Sequence, residues 1–137
     1  MVNKDILLSR LERLRAYLRI LKIIQQKDID QFISDPLIHG AAERYLHLAI
    51  ESALDIGNHV ISERGFRKPE TYGEIFMILS QEGVVSPELY HRIEGMAAFR
   101  NVLVHDYLKL DHRKVLAILK EKLTDLEELA DVYSRLL

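Results

Sequence analysis

Cysteine is absent from this 137-residue sequence. That excludes a disulfide scaffold, a thiolate zinc site and a cysteine nucleophile. Long apolar runs are missing too, and the opening MVNKDILLSRLERLR carries charge where a leader would carry an apolar core. Neither a signal peptide nor a membrane span is expected, so the chain reads as cytoplasmic with no membrane contact. The few glycines form neither phosphate cradle, since G-x-x-x-x-G-K-[ST] and G-x-G-x-x-G are both lacking. H-E-x-x-H is lacking as well. A carboxylate-bridged di-metal bundle needs two E-x-x-H motifs, and only Glu88 to His91 supplies one. No metal and no cofactor are expected.

What is present belongs to an ordinary globular protein. Hydrophobic residues make up 48% and charged residues 29%, too apolar for disorder and enough for one cored domain over residues 1–137 without staples. A net charge of -2 conceals an uneven distribution. Residues 1–27 are basic through Arg10, Arg13, Arg15 and Arg19, whereas the last stretch is acidic through Glu121, Asp125, Glu127 and Glu128. Solvated helix faces explain this as well as a surface for a polyanion does.

The periodicity is helical nearly throughout. Leu7, Leu11, Leu14, Leu18 and Leu21 alternate steps of four and three and share one face of a first helix. Asp35-Pro36 opens a second long helix reaching Gly65, with Ala42, Tyr45, Ala49, Ala53, Ile56 and Val60 facing inward. Thr71 with Glu74 reads as a capping box for a short third helix that Gly83 stops. Ser86-Pro87 opens a fourth and Asp111 a fifth, carried by Val115, Leu119, Leu123, Leu126, Ala130 and Tyr133. No alternating β pattern interrupts them. The expected fold is an all-α antiparallel up-down bundle of four long helices plus a short one.

Two features stand out on this frame. On the second helix His39, Glu43, His47, Glu51, Asp55 and His59 follow one another at i+4 spacing, drifting about 40° per step across the surface. Neighbouring pairs have the ligand types for a metal, but a hydrated face or a polar seam between packed helices is the simpler reading. The fourth helix carries Leu89, Ile93, Met96 and Leu103 as its apolar stripe, and continuing that register puts Arg100 and Tyr107 on it. A guanidinium on an inward face needs a partner: a carboxylate of another helix, a second subunit or a phosphate. Asn101 and His105 run beside it. With 11 arginines and 6 histidines in the chain, Arg-x4-His is expected about half a time by chance. Requiring the flanking Asn and Tyr lowers that to the order of one in a thousand.

The segment RNVLVHDY, together with AERYLHLAIESALDIGNHVI on the second helix, resembles the HepT-like toxins of the HEPN superfamily over essentially the whole chain. The R-x4-H-x-Y motif falls on Arg100, His105 and Tyr107 without a gap. The resemblance implies a HEPN-like fold and a homodimeric, metal-independent endoribonuclease, the toxin of a toxin–antitoxin pair acting on an RNA substrate. It also implies a partner, an MntA-like nucleotidyltransferase antitoxin that adenylylates Tyr107, in an assembly with the dimer. The alternative is a non-catalytic HEPN dimer that binds the transferase or a nucleotide.

The residue types suit RNA cleavage. Imidazole exchanges protons near neutral pH, so His105 can serve as general base or acid. Arg100 offers phosphate oxygens a permanent fork, and Asn101 can orient the phosphate or the imidazole. Lys109, Arg113 and Lys114 cluster with His112 at the start of the fifth helix, where the macrodipole disfavours cations but attracts an anion. Solvent exposure accounts for that cluster equally well. Five residues on a regular helix set Arg100 and His105 about 140° apart, so convergence needs a kinked helix end or a second chain.

Overall fold

The computed structural model describes residues 3–105 and 107–137, with Tyr107 by its backbone alone. Among them the chain is helical without a strand: α1 (Lys4–Gln25), α2 (Ile29–Ser34), α3 (Pro36–Glu63), α4 (Tyr72–Gln81), α5 (Pro87–Ile93), α6 (Met96–His105), a 3₁₀ turn (Tyr107–Lys109) and α7 (His112–Ser134).

The expected caps are in place. Asp35 Oδ1 accepts from the Leu37 amide at 2.9 Å with Pro36 in the first turn. Ser86 Oγ accepts from Leu89 at 3.1 Å, and Asp111 Oδ1 accepts from Arg113 at 2.9 Å. Thr71 Oγ1 caps Glu74 at 3.3 Å, while the Glu74 carboxylate meets Arg67 Nη1 at 2.6 Å. Gly65 and Gly83 end α3 and α4 at φ 69° and 78°. At each, the amide two past the cap bonds three residues inside the helix: Phe66 to Ile61 O and Val84 to Leu79 O. A side chain at either glycine would be strained in this left-handed backbone.

α3 is the central post. α1 and α7 pack on it and on each other, α4 and α6 lean on its other faces, and α5 is held chiefly by α7. The stripe from Leu7 to Leu21 is fully sequestered, as are Val115, Leu119, Leu123, Leu126, Ala130 and Tyr133 of α7. Each such side chain contributes roughly 1.5–3 kcal/mol relative to exposure. Gly57 allows the tightest approach: a Cβ there would sit 2.8 Å from Ile75 Cγ2 and 3.0 Å from the Tyr133 hydroxyl. That hydroxyl donates to Ala53 O at 2.9 Å, and burial pushes its pKa up, so the phenol stays protonated.

Two elements differ from expectation. α2 is an extra short helix, capped by Asp28, whose Oδ2 accepts from Asp30 and Gln31. The expected fourth long helix is two helices, α5 and α6, parted at Glu94-Gly95. Gly95 weakens helix continuation, and its carbonyl opens α6 by accepting from Phe99 at 3.1 Å. Leu89, Ile93, Met96 and Leu103 are nonetheless all buried, two on each helix.

Candidate functional site

α6 runs unbroken from Met96 to His105, so no kink separates Arg100 from His105. The bend lies before Arg100, and within one chain the two side chains leave α6 in different directions. Arg100 turns inward with 13% of its side chain exposed, whereas Asn101 and His105 are exposed. The helix ends at His105 and Tyr107 belongs to the following 3₁₀ turn. Whether its side chain shares the Arg100 stripe, as expected from the register, lies outside the described residues.

The partner that Arg100 requires is a carboxylate of α3. Arg100 Nη2 donates to Glu51 Oε1 at 2.9 Å and Nη1 to Asn101 Oδ1 at 3.1 Å. The guanidinium carbon stands 5.0 Å from the centre of the Tyr72 ring, within cation–π range. The Arg100 Nε is buried without a hydrogen-bond partner among the described residues. Burial by itself would raise the pKa of Glu51, but the hydrogen bond and charge of Arg100, with His47 2.8 Å away, outweigh it. The carboxyl is held below its ordinary value. One turn on, Asp55 is shifted up, first by burial and then by the negative charge of Glu51.

The i+4 row on α3 is thus a polar seam facing other helices. Glu51 meets Arg100 of α6, and Glu43 Oε1 lies 2.9 Å from His112 Nδ1 of α7. Between α3 and α6 opens a cleft of about 300 Å³ lined by Gly40, Glu43, Arg44, His47, Leu103 and Val104. A second, of about 250 Å³, lies where Arg10, Arg13 and Tyr17 of α1 face Leu48, Glu51, Ser52 and Asp55. Glu51 reaches from the wall of this second cleft to the motif arginine.

The sequence identifies Arg100 as needing a partner but does not name Glu51. The pairing spans 49 positions, and only the row at i+4 spacing signals that α3 meets something polar. Of the basic cluster, Lys109, Arg113 and Lys114 are exposed, while His112 is turned toward Glu43. The Arg113 amide in the first turn of α7 is already capped by Asp111, so an anion there would rely on those side chains more than on the helix end. Among the described residues no helix is long and apolar enough to cross a membrane.

Residues 10–132 match the family described as Ribonuclease HepT-like. The tRNA nuclease HepT of Aphanizomenon flos-aquae is 33% identical over 114 residues, covering 83% of this chain and 78% of that one. The mRNA nuclease HepT of Shewanella oneidensis is 28% identical over 130 residues, covering 93% and 96%. The solved structure of a tri-AMPylated Shewanella oneidensis HEPN toxin in complex with an MNT antitoxin shares the fold. Its TM-score is 0.86 at 24% identity, covering 96% of this chain and 98% of that one. With the family matched across nearly all of its length, the chain belongs to the HepT-like ribonucleases.

Proposed function

We propose that this protein is the toxin of a toxin–antitoxin pair, an endoribonuclease that cuts RNA without a metal through attack by the 2′-hydroxyl. The observation that carries it is the motif helix itself. Among the described residues Arg100 is held by one carboxylate with Nε unsatisfied, and His105 stands exposed at the end of the same helix. The relatives named as tRNA and mRNA nucleases support the activity.

The chemistry follows from the groups. The 2′-oxygen attacks the adjacent phosphorus and the 5′-oxygen of the next nucleotide leaves, giving a 2′,3′-cyclic phosphate and a 5′-hydroxyl. One imidazole must take the 2′-proton and another must return a proton to the leaving oxygen. Arg100, aided by Asn101, stabilises the charge that builds on the phosphoryl oxygens. Two His105 side chains serve both roles if two chains lay their α6 helices together, an isologous contact that also overcomes the 140° divergence within one helix. Val102 and Leu108 expose apolar surface beside the motif, in keeping with such a homodimer. Lys109, Arg113 and Lys114 then flank the cleft and hold the RNA backbone by charge.

Neutralisation is assigned to Tyr107, whose phenol oxygen takes AMP from ATP, releasing pyrophosphate, in the hands of an MntA-like nucleotidyltransferase. The AMPylated Shewanella toxin in complex with its antitoxin supports this reading. The test is cleavage of RNA by purified protein in excess EDTA, with cyclic phosphate ends expected and His105→Ala inactive but folded. Undiminished cutting by His105→Ala overturns the assignment. Mass spectrometry after incubation with transferase and ATP should place AMP on Tyr107, and an antitoxin that still silences Tyr107→Phe would place the switch elsewhere.

A further inference from the structure

At the other end of the α3 seam, three side chains from two helices converge where none serves the proposed cleavage. His39 and Glu43 lie one turn apart on α3, and His112 begins α7. One potential ligand atom from each lies within 4.8 Å of the others. Glu43 Oε1 is 2.9 Å from His112 Nδ1 and 3.8 Å from His39 Nδ1. The two imidazole rings stack with centroids 3.8 Å apart and planes 24° from parallel.

The group is enclosed on one side. His39 is backed by the buried Phe32 ring at 6.4 Å, and its side chain is 17% exposed. His39 Nδ1 is buried and has no hydrogen-bond partner among the described residues. A buried ring nitrogen left unpaired is costly unless its lone pair has a cation to face. Two imidazoles and one carboxylate are the donor set that borderline divalent ions prefer.

We infer that His39, Glu43 and His112 form a site for a divalent transition ion of the zinc type, clasping the start of α7 to α3. Metal bonds of about 2.0–2.1 Å in a tetrahedron set ligand atoms roughly 3.3 Å apart, so side-chain rotation closes the site without moving either helix. Three protein ligands leave a fourth position to water or an exchangeable group. Both helices present their N-terminal ends here, and those dipoles oppose a cation, so Glu43 is needed for charge as well as geometry. The ion acts on the helix joint and not on phosphorus, so the clasp stands apart from the cleavage reading, and cutting in EDTA tests the two separately.

The experiment is titration of the full-length chain, freed of any affinity tag and chelator-stripped, with Zn²⁺ by calorimetry and with Co²⁺ by visible absorption. One ion per chain is expected, with the intense d–d bands of a four- or five-coordinate Co²⁺ and a rise in Tm on saturation. His39→Gln and His112→Gln should each weaken binding by about a hundredfold, at or beyond the roughly 10–100-fold carried by outer partners. His91→Gln, an exposed histidine elsewhere, should leave it unchanged. Circular dichroism of the stripped variants establishes that both remain helical. Full binding in the His39→Gln/His112→Gln double variant, or no wild-type binding above that of the exposed histidines, overturns the inference.

Discussion

Two arginines eight positions apart meet acidic side chains of a neighbouring long helix, and they do so differently. Arg92 of α5 places one nitrogen, Nη1, against both Asp125 at 2.7 Å and Glu128 at 2.6 Å of α7. Those carboxylates, Glu128 foremost, push the guanidinium further from deprotonation, and Arg92 in turn holds Glu128 below its ordinary pKa. Among the described residues Arg100 of α6 has a single carboxylate, a neighbouring amide, an aromatic face and an unsatisfied buried Nε. Arg92 is more exposed yet better neutralised, at 41% against 13% of the side chain. An arginine matched by two negative charges is a fastener. One matched by a single charge forms a neutral pair without the surplus negative charge that holds Arg92, and it gives up its guanidinium to a phosphate more readily.

The largest expected effect breaks that comparison outright. Arg100→Ala should reduce RNA cleavage by about 10²–10³-fold, the scale of losing one preorganised donor to a developing anion. Arg92→Ala should leave the chemical step intact when assayed well below its own melting temperature. Arg100→Lys should remain strongly impaired, because an ammonium cannot reproduce the fork. Single-turnover assays on both variants decide it, and equal losses from Arg92 and Arg100 would mean that neither arginine touches the phosphate.

Next comes stability, where the ranking inverts. Asp125 keeps only 8% of its side chain exposed, and apart from Arg92 it has Lys122 Nζ at 4.0 Å. Arg92→Met therefore strands a buried carboxylate, and its Tm should fall further than that of Arg100→Met. Adding Asp125→Leu to Arg92→Met should recover much of the loss, since replacing a whole buried pair costs less than removing one partner. Thermal melts of the two singles and the double make the cycle, and strict additivity would show that the pair is not coupled.

How far such distinctions could be read from the chain depends on whether they are local. The leucine stripe of α1, the caps at Asp35, Thr71, Ser86 and Asp111, and the stops at Gly65 and Gly83 each need only a few neighbouring residues, and all were legible. α2 was missed because six residues are too few to show a period, though Asp28 was available as its cap. The break at Gly95 was missed because the apolar stripe continues across it in step, with the glycine as the sole warning. The motif at Arg100, Asn101 and His105 stood out by residue type and spacing. Glu51 as the partner of Arg100, and His112 beside Glu43, depend on packing over 49 and 69 positions, which no local pattern encodes.

The smallest effect sharpens the comparison from the acidic side. Because Arg100 and His47 outweigh burial, the folded pKa of Glu51 lies below its ordinary 4.5. A depressed carboxyl contributes stability that is complete above its unfolded value and is lost as pH falls through the folded one. Glu51→Gln removes that contribution, so the Tm gap between wild type and variant should narrow as pH falls from about 6 to about 3. Glu51 is 35% exposed, so solvent screening keeps the stability difference behind that gap at no more than about 1 kcal/mol. Asp55 trims it further: its pKa is raised partly by Glu51, and removing that like charge relieves it. The same substitution frees Arg100 of the Glu51 carboxylate, and RNA should then bind more tightly at low salt. A Tm gap that stays constant across this pH range, with unchanged RNA affinity, would show that Glu51 places Arg100 without competing for its charge.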